Sequence, residues 1–147
     1  MFLGQYDHNI DEKGRLTVPA RYRELLEKGA YITQGLDQNL WVMPAAMFDQ
    51  MYKKVSEKSF TDPKARLLRR LVFSNADRVE VDKAGRMLIP QFLRQPNGLD
   101  GEAVIVGTGE YFEIWSRTEW QNQQKELQNT EANQERFAGL DLSFETE

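Results

Sequence analysis

The sequence predicts a mainly β protein with short helices, of the α+β class, built from two tandem repeats about a pseudo-two-fold axis. A ten-residue motif occurs twice, at 10–19 and 81–90, and the interval from Asp11 to Asp82 equals that from Arg15 to Arg86. A second match, between 39–41 and 113–115, extends the repeat at a slightly larger interval. Each half holds only a few short strands, too few to close a core alone, so we expect strands of both halves to pair.

Each copy of the motif predicts a tight turn, a short strand and the start of a helix. Asp can bond to its own backbone two residues further on, and Gly adopts backbone conformations that a side chain resists. The three residues after Arg suit a strand, and Pro fits the first turn of a helix. The residues in these roles are Asp11, Gly14, Arg15 and Pro19 in the first copy and Asp82, Gly85, Arg86 and Pro90 in the second.

The first repeat is assigned to residues 5–47. Strands are expected at 5–10, 16–18, 30–33 and 40–43, with Trp41 in the core. Pro19 begins a helix that Gly29 ends, and its spacing places three apolar side chains on one face. These side chains are Tyr22, Leu25 and Leu26.

Residues 48–75 are predicted to be a helical linker, not a flexible one. A helix that begins at Pro44 carries an apolar stripe typical of packing against a core. Asp62 followed by Pro63 is an N-cap with Pro at the first helical position, so a second helix begins there. The stripe of the first helix consists of Met47, Phe48, Met51, Tyr52 and Val55.

The second repeat is assigned to residues 76–119 and the remainder, 120–147, to a polar helix and an acidic tail. Strands are expected at 86–89, 103–106 and 111–115, with Trp115 in the core, and a short helix at 90–94. The polar helix is expected to continue to about Phe137.

The composition is that of a soluble globular protein, with 40% hydrophobic and 29% charged residues. Cys is absent, which excludes disulfides and thiolate sites. No apolar run approaches the length of a membrane span, and the N-terminus lacks the pattern of a signal peptide. A cytoplasmic protein with no membrane partner is therefore expected.

Charge is distributed unevenly along the chain, whose net charge is −4. Residues 13–23 contain four basic residues and no acid, and residues 53–70 contain seven basic residues and two acids. Residues 110–147 contain nine acids and three basic residues. Because binding depends on the local field, the basic segments remain candidates for nucleic acid.

The basic residues of the two motifs are the candidate DNA-binding site. The spacing of Asp and Arg can form an ion pair that locks the turn, or can hold Arg as a rigid fork for phosphate or guanine, and both can be true. The first copy is expected to contribute most. The candidate residues are Lys13, Arg15, Arg21, Arg23, Lys83 and Arg86, with Asp11, Gly14, Asp82 and Gly85 shaping the turns.

Catalytic and metal sites have little support in the sequence. Asp11 and Asp82 could form a carboxylate dyad, but an Arg at the fourth position after each would keep it ionised. His8 is the only histidine, so a transition-metal site would need carboxylates alone. Phosphate-binding and nucleophile motifs are absent. We expect no enzyme activity and no cofactor.

The doubled motif, with Met1-Phe2 and Gly4 before it, resembles the MraZ family over residues 1 to about 120. This resemblance implies a swapped-hairpin, double-split β-barrel of the AbrB and MazE type. It also implies a regulator of the bacterial division and cell-wall gene cluster that binds repeated promoter elements of its own operon, commonly as a repressor. Such proteins form homo-oligomeric rings and associate with the nucleoid. The alternative is a protein-interaction module of antitoxin type, whose basic segments meet an acidic protein.

Overall fold

The computed structural model describes residues 1–145 of the 147-residue chain. Within them the strands are β1 Gln5–Asn9, β2 Arg15–Thr17, β3 Ala30–Gln34, β4 Asn39–Pro44, β5 Asp77–Val79, β6 Arg86–Leu88, β7 Glu102–Gly107 and β8 Phe112–Ser116. The α-helices are α1 Ala20–Arg23, α2 Ala45–Ser56, α3 Pro63–Phe73, α4 Gln91–Arg94, α5 Arg117–Leu127 and α6 Thr130–Phe137. Short 3-10 turns follow α1 and α4. The chain divides into two compact units, Met1–Arg117 and the residues from Thr118 onward.

Six strands form one antiparallel sheet in the order β1-β7-β8-β4-β3-β5, and β2 pairs with β6 in a separate two-stranded ribbon. The first strand of each repeat therefore pairs with the third strand of the other repeat, since β1 lies beside β7 and β5 beside β3. This confirms that strands of both halves share one sheet. A closed barrel is not confirmed, because within residues 1–145 the sheet runs from β1 at one edge to β5 at the other.

The strand registers place a pseudo-two-fold axis through the molecule. In the ribbon Leu16 lies opposite Met87, and these two residues occupy the same position of the two motifs. In the sheet Leu40 lies opposite Ile114, which are again repeat counterparts. A residue can face its own counterpart only where the symmetry axis passes, so both pairs mark the axis.

A single hydrophobic core is shared by the two repeats. The side chains next to the axis are fully buried: Leu16, Leu40, Met87 and Ile114. Since neither repeat encloses these side chains alone, burial of the core requires both.

An aromatic cluster joins the start of the chain to this core. Tyr22 packs edge-on against Phe2, with ring centroids 4.9 Å apart, and lies 5.1 Å from the ring of Phe112. The Tyr22 hydroxyl donates to the carbonyl of Leu3 at 2.6 Å. Burial raises the pKa of Tyr22 to about 12, so the phenol stays protonated and remains a donor at neutral pH.

Helices α2 and α3 begin where the sequence predicts them, and aromatic contacts pack α2 on the sheet and α3 on α2. Asp62 caps α3 by accepting from the backbone N–H of Lys64 at 2.9 Å. On α2 the ring of Phe48 stacks on Tyr31 with centroids 4.3 Å apart and contacts Phe73 edge-on. The apolar stripe of α2 is therefore partly a packing surface.

Three details of the predicted elements are wrong. Leu25 is 38% exposed, because the chain changes from α to 3-10 geometry at Glu24 and the apolar face ends early. Trp41 is only half-buried, unlike Trp115. The polar helix does not run unbroken to Phe137, because Asn129 interrupts it and caps α6 by accepting from Ala132 at 3.1 Å.

Candidate nucleic-acid interface

Asp11 organises the first motif turn with both of its carboxylate oxygens. Its Oδ1 accepts from the backbone N–H groups of Lys13 at 3.0 Å and Arg15 at 2.8 Å. Its Oδ2 accepts from the Arg15 Nε at 2.7 Å. Gly14, at φ +85°, closes the turn by donating to the Asp11 carbonyl at 2.9 Å. The guanidinium is thus held by an acid that is itself fixed to the backbone.

The second motif turn repeats this arrangement. Asp82 Oδ1 accepts from the backbone N–H groups of Ala84 at 3.0 Å and Arg86 at 2.9 Å. Its Oδ2 accepts from the Arg86 Nε at 3.0 Å, and Gly85 adopts φ +80°. The predicted ion pairs are present in both copies.

Both Asp carboxyls have a pKa below the ordinary value of 3.8. The main cause in each turn is the hydrogen bond from the backbone N–H of the Arg, and the guanidinium lowers the pKa further, against a partial loss of hydration. A carboxylate dyad requires one raised pKa, so this direction argues against Asp11 and Asp82 sharing a proton.

The two arginines meet on one face of the ribbon, which consists of residues 15–17 and 86–88. Leu16 and Met87 at its centre point inward, with exposed fractions of 0%. Successive side chains of a strand alternate between faces. The outer face therefore presents Arg15 opposite Leu88 and Arg86 opposite Thr17.

A turn projects from each end of this outer face. Arg15 and Arg86 occupy diagonal positions of the ribbon, on the order of 7 Å apart. The ribbon thus brings the two motif arginines to one surface, although they belong to different repeats.

Arg23 lies under the turn of the other repeat, where it supports the backbone. Its Nε donates to the carbonyl of Val18 at 2.9 Å, and its guanidinium covers Gly85 so closely that a Cβ there would lie 2.3 Å from Cζ. The backbone N–H of Val18 also donates to the Gly85 carbonyl at 2.8 Å. Arg23 thus links its own repeat to the second turn.

Arg94 performs the same task for the first turn, and it was not among the predicted site residues. Its Nε donates to the Ile89 carbonyl at 2.8 Å, and a Cβ on Gly14 would lie 2.8 Å from its Cζ. The signal was available in the sequence, because Arg94 follows Arg23 by the same interval that separates the two motifs. Each turn is therefore held by an arginine of the other repeat.

The remaining candidates are exposed around the ribbon. Lys13 and Lys83 lie on the two turns, and Arg21 lies on α1. Within residues 1–145 none of these three side chains forms an ion pair with an acid. Three pairs of repeat counterparts around the ribbon differ in charge, since Glu12 matches Lys83, Lys13 matches Ala84 and Arg21 matches Phe92.

Other kinds of site receive no support from the described residues. Within residues 1–145 no group of three or more His, Asp or Glu side chains is placed to hold a metal ion, and His8 is half-buried on β1. No helix in that part of the chain has the length and apolar character needed to cross a bilayer.

Comparison with known proteins places both halves in one family. The family described as "MraZ protein, putative antitoxin-like" matches the chain twice, over residues 1–71 and 72–140. The chain is 44% identical to the transcriptional regulator MraZ of Roseiflexus castenholzii over 122 residues, which cover 83% of this chain and 85% of that protein. It is 46% identical to the protein of the same name from Thermomicrobium roseum over 82% of this chain and 84% of that one. The relative in Moorella thermoacetica is 42% identical over 97% of this chain and all of its own length. With two repeats matched and relatives aligned over most of their length, the chain belongs to the MraZ family.

Proposed function

We propose that this protein regulates transcription by binding duplex DNA through the outer face of the β2–β6 ribbon. The observation that carries the proposal is the pair of arginines, each fixed by its own Asp, on one face of a two-stranded antiparallel ribbon. A ribbon of this kind fits the DNA major groove, which is about 12 Å wide. The names of the relatives as transcriptional regulators support the same role.

The side chains of the ribbon divide into two tasks. Arg15 and Arg86 are proposed to contact guanine, because a fixed guanidinium fork matches the two acceptors on the guanine edge. The exposed bases around them, Lys13, Lys83 and Arg21, are proposed to contact phosphates, which position a protein without reading sequence. Arg23 is proposed to act mainly by holding the second turn in place.

The family supports a finer proposal for the biological role. We propose that the regulated genes are the bacterial division and cell-wall cluster and that the protein represses its own operon. It would act in the cytoplasm at the nucleoid. We also propose that residues 5–47 and 76–119 act as AbrB-like repeats of one double-split barrel, with 48–75 as the linker and 120–147 as an appendage.

The working species is proposed to be a homo-oligomeric ring. One ribbon makes a small contact, and several ribbons on one rim convert later contacts with repeated promoter elements into intramolecular ones. Two similar but non-identical halves can form a heterologous interface, which generates a ring if its rotation closes. Light scattering of the free protein should give a multiple of the 17.1 kDa chain, and a monomer would contradict the ring.

The binding experiment compares Arg15→Ala and Arg86→Ala on the DNA upstream of the protein's own gene. The sequence predicts that the first copy contributes more to DNA binding. The two turns, however, have matching hydrogen bonds, and the acidic Glu12 lies in the first turn. We therefore expect comparable losses, about tenfold or more each, since a bidentate contact contributes on the order of 1–3 kcal/mol. Arg70→Ala, an exposed arginine on α3, is the control and should bind as the wild type does.

Salt dependence separates the two tasks of the ribbon. Removal of a phosphate contact such as Lys13 should weaken binding to all sequences and lower the slope of log K against log salt by about one. Wild-type binding that ignores salt, or full binding by the Arg15→Ala/Arg86→Ala double variant, would refute the proposed interface.

A protein-interaction module of antitoxin type is the second candidate function. The basic helices α2 and α3, with exposed Lys53, Lys54, Lys64 and Arg70, favour it because they lie outside the ribbon. A stoichiometric protein partner that requires these helices, together with no binding to the upstream DNA, would favour this function over the first.

A further inference from the structure

The outer face of the β2–β6 ribbon is symmetric in charge and asymmetric in its other two positions. Arg15 and Arg86 are repeat counterparts, and so are Thr17 and Leu88, which lie at the far ends of the same two strands. Each arginine lies directly opposite the last residue of the other strand: Arg15 is opposite Leu88, and Arg86 is opposite Thr17. The two halves of the face therefore offer one guanidinium each, but a hydroxyl in one half and an isobutyl group in the other.

Leu88 is not part of the hydrophobic core. Its side chain is 55% exposed, while its chain neighbours Met87 and Ile89 are fully buried. The alternation of a strand places it on the face of the arginines, and the guanidinium of its cross-strand partner Arg15 is bonded to Asp11. A large apolar side chain is thus exposed on the face that carries the arginines, where phosphate contacts alone would give it no role.

We propose that Leu88 is a specificity-determining residue that selects thymine by contact with its 5-methyl group. This proposal rests on the proposed DNA-binding function of the ribbon. In the major groove the thymine methyl is the apolar group among the base edges, and an apolar side chain recognises it by contact. Thr17, its counterpart, contacts a base edge through its hydroxyl instead. One chain therefore reads a non-palindromic element in spite of its pseudo-two-fold fold.

The geometry also places the recognised thymine. The two arginines lie on the order of 7 Å apart, which is about two base-pair steps of roughly 3.4 Å each. Leu88 is directly across from Arg15. The thymine is therefore expected within one or two base pairs of the position whose base preference Arg15→Ala relaxes.

The test replaces single thymines of the upstream DNA by deoxyuridine, which lacks only the 5-methyl group. For the wild-type protein one replacement should weaken binding by about fourfold, the effect of leaving one methyl group unburied. Leu88→Ala should bind the unmodified DNA less tightly and should no longer distinguish thymine from deoxyuridine at that position. Its salt slope should equal that of the wild type, because the substitution removes no charge.

Two further variants change the apolar character of the two positions in opposite directions. Leu88→Ser should abolish the deoxyuridine effect, because Ser has no methyl group, and Thr17→Leu should create a second sensitive position on the other side of the element. Melting temperatures of all three variants verify that they fold. If one variant does not fold, the other two still test the role of Leu88, since both substituted sites lie on the outer face.

The outcomes separate this inference from the function on which it rests. Wild-type protein that does not bind the DNA overturns the proposed function. Wild-type protein that binds but responds equally to every deoxyuridine, or Leu88 variants that keep the thymine preference, overturn the role of Leu88 and leave DNA binding intact.

Discussion

Asp11 and Asp82 each stabilise a turn and orient an arginine with the same carboxylate. Three donors converge on each group, two from the backbone and one from the guanidinium. An Asn could still accept the backbone N–H groups, but its amide nitrogen would oppose the Arg Nε, donor against donor. The negative charge is therefore needed for the arginine more than for the turn.

The lowered pKa of these two carboxyls predicts a pH-dependent stability. Their contribution is fully present above the ordinary value of 3.8 and is lost as the pH falls through the lower values of the folded protein. The melting temperature of the wild type should exceed that of Asp11→Asn and Asp82→Asn at pH 7, and the gap should shrink below pH 3.8. Asp100→Asn, an exposed carboxylate without an ion pair in residues 1–145, is the control. A gap that persists unchanged to the lowest pH would contradict the assignment.

The contact between Gly85 and Arg23 predicts a non-additive pair of substitutions. Gly85→Ala should destabilise the protein by about 1–3 kcal/mol, because φ is positive and the Cβ would overlap the guanidinium. Arg23→Ala removes the overlap but not the backbone strain. Denaturant unfolding of the double variant should therefore show less destabilisation than the sum of the single variants. Strict additivity would mean that Arg23 moves aside without cost. The same set of single and double substitutions at Gly14 and Arg94 provides an independent test.

At the level of elements, the sequence was informative wherever the chemistry was local. Asp, Gly and Pro determine a turn within a few positions, so both motif turns, α3 with its Asp62 cap and most strands were predicted. The partner of each strand was not predictable, because β1 and β7 lie in different repeats and no local signal links them. The 3-10 geometry at Glu24 and the break at Asn129 depend on small energetic differences between helical forms, which spacing alone does not reveal.

The candidate site was predicted in part for the same reason. The motif identified Arg15 and Arg86, but the meeting of the two on one ribbon is a tertiary result. The alternation of a strand places Leu88 and Thr17 beside the arginines. They were not among the predicted site residues, because the candidates were identified by their positive charge and these two side chains are uncharged. Arg23 could not be given its supporting role without the position of Gly85, which belongs to the other repeat.

Across the whole molecule, exchange between the repeats is the feature that makes one domain of two motifs. The first strand of each repeat completes the hairpin of the other, the ribbon takes one strand from each, and each turn is held by an arginine of the opposite repeat. A pseudo-symmetric pair of turns on one face results from this exchange and not from either repeat alone. The proposed DNA-binding surface therefore depends on the integrity of the whole Met1–Arg117 unit.

This dependence predicts that the two halves cannot fold separately. Division of the chain after Asn75, in the segment between α3 and β5, removes β7 from β1, β5 from β3 and β6 from β2, and it exposes Leu16 and Met87. Neither 1–75 nor 76–147 should show cooperative unfolding or bind the upstream DNA, because each lacks half of its core. An equimolar mixture should regain a cooperative transition, since the strand pairings do not require the peptide bond after Asn75, and Leu16→Ala in the first fragment should weaken that recovery by about 2–5 kcal/mol. Circular dichroism of the separate and mixed fragments against denaturant measures both effects, and a fragment that unfolds cooperatively on its own would show that a repeat is an autonomous domain.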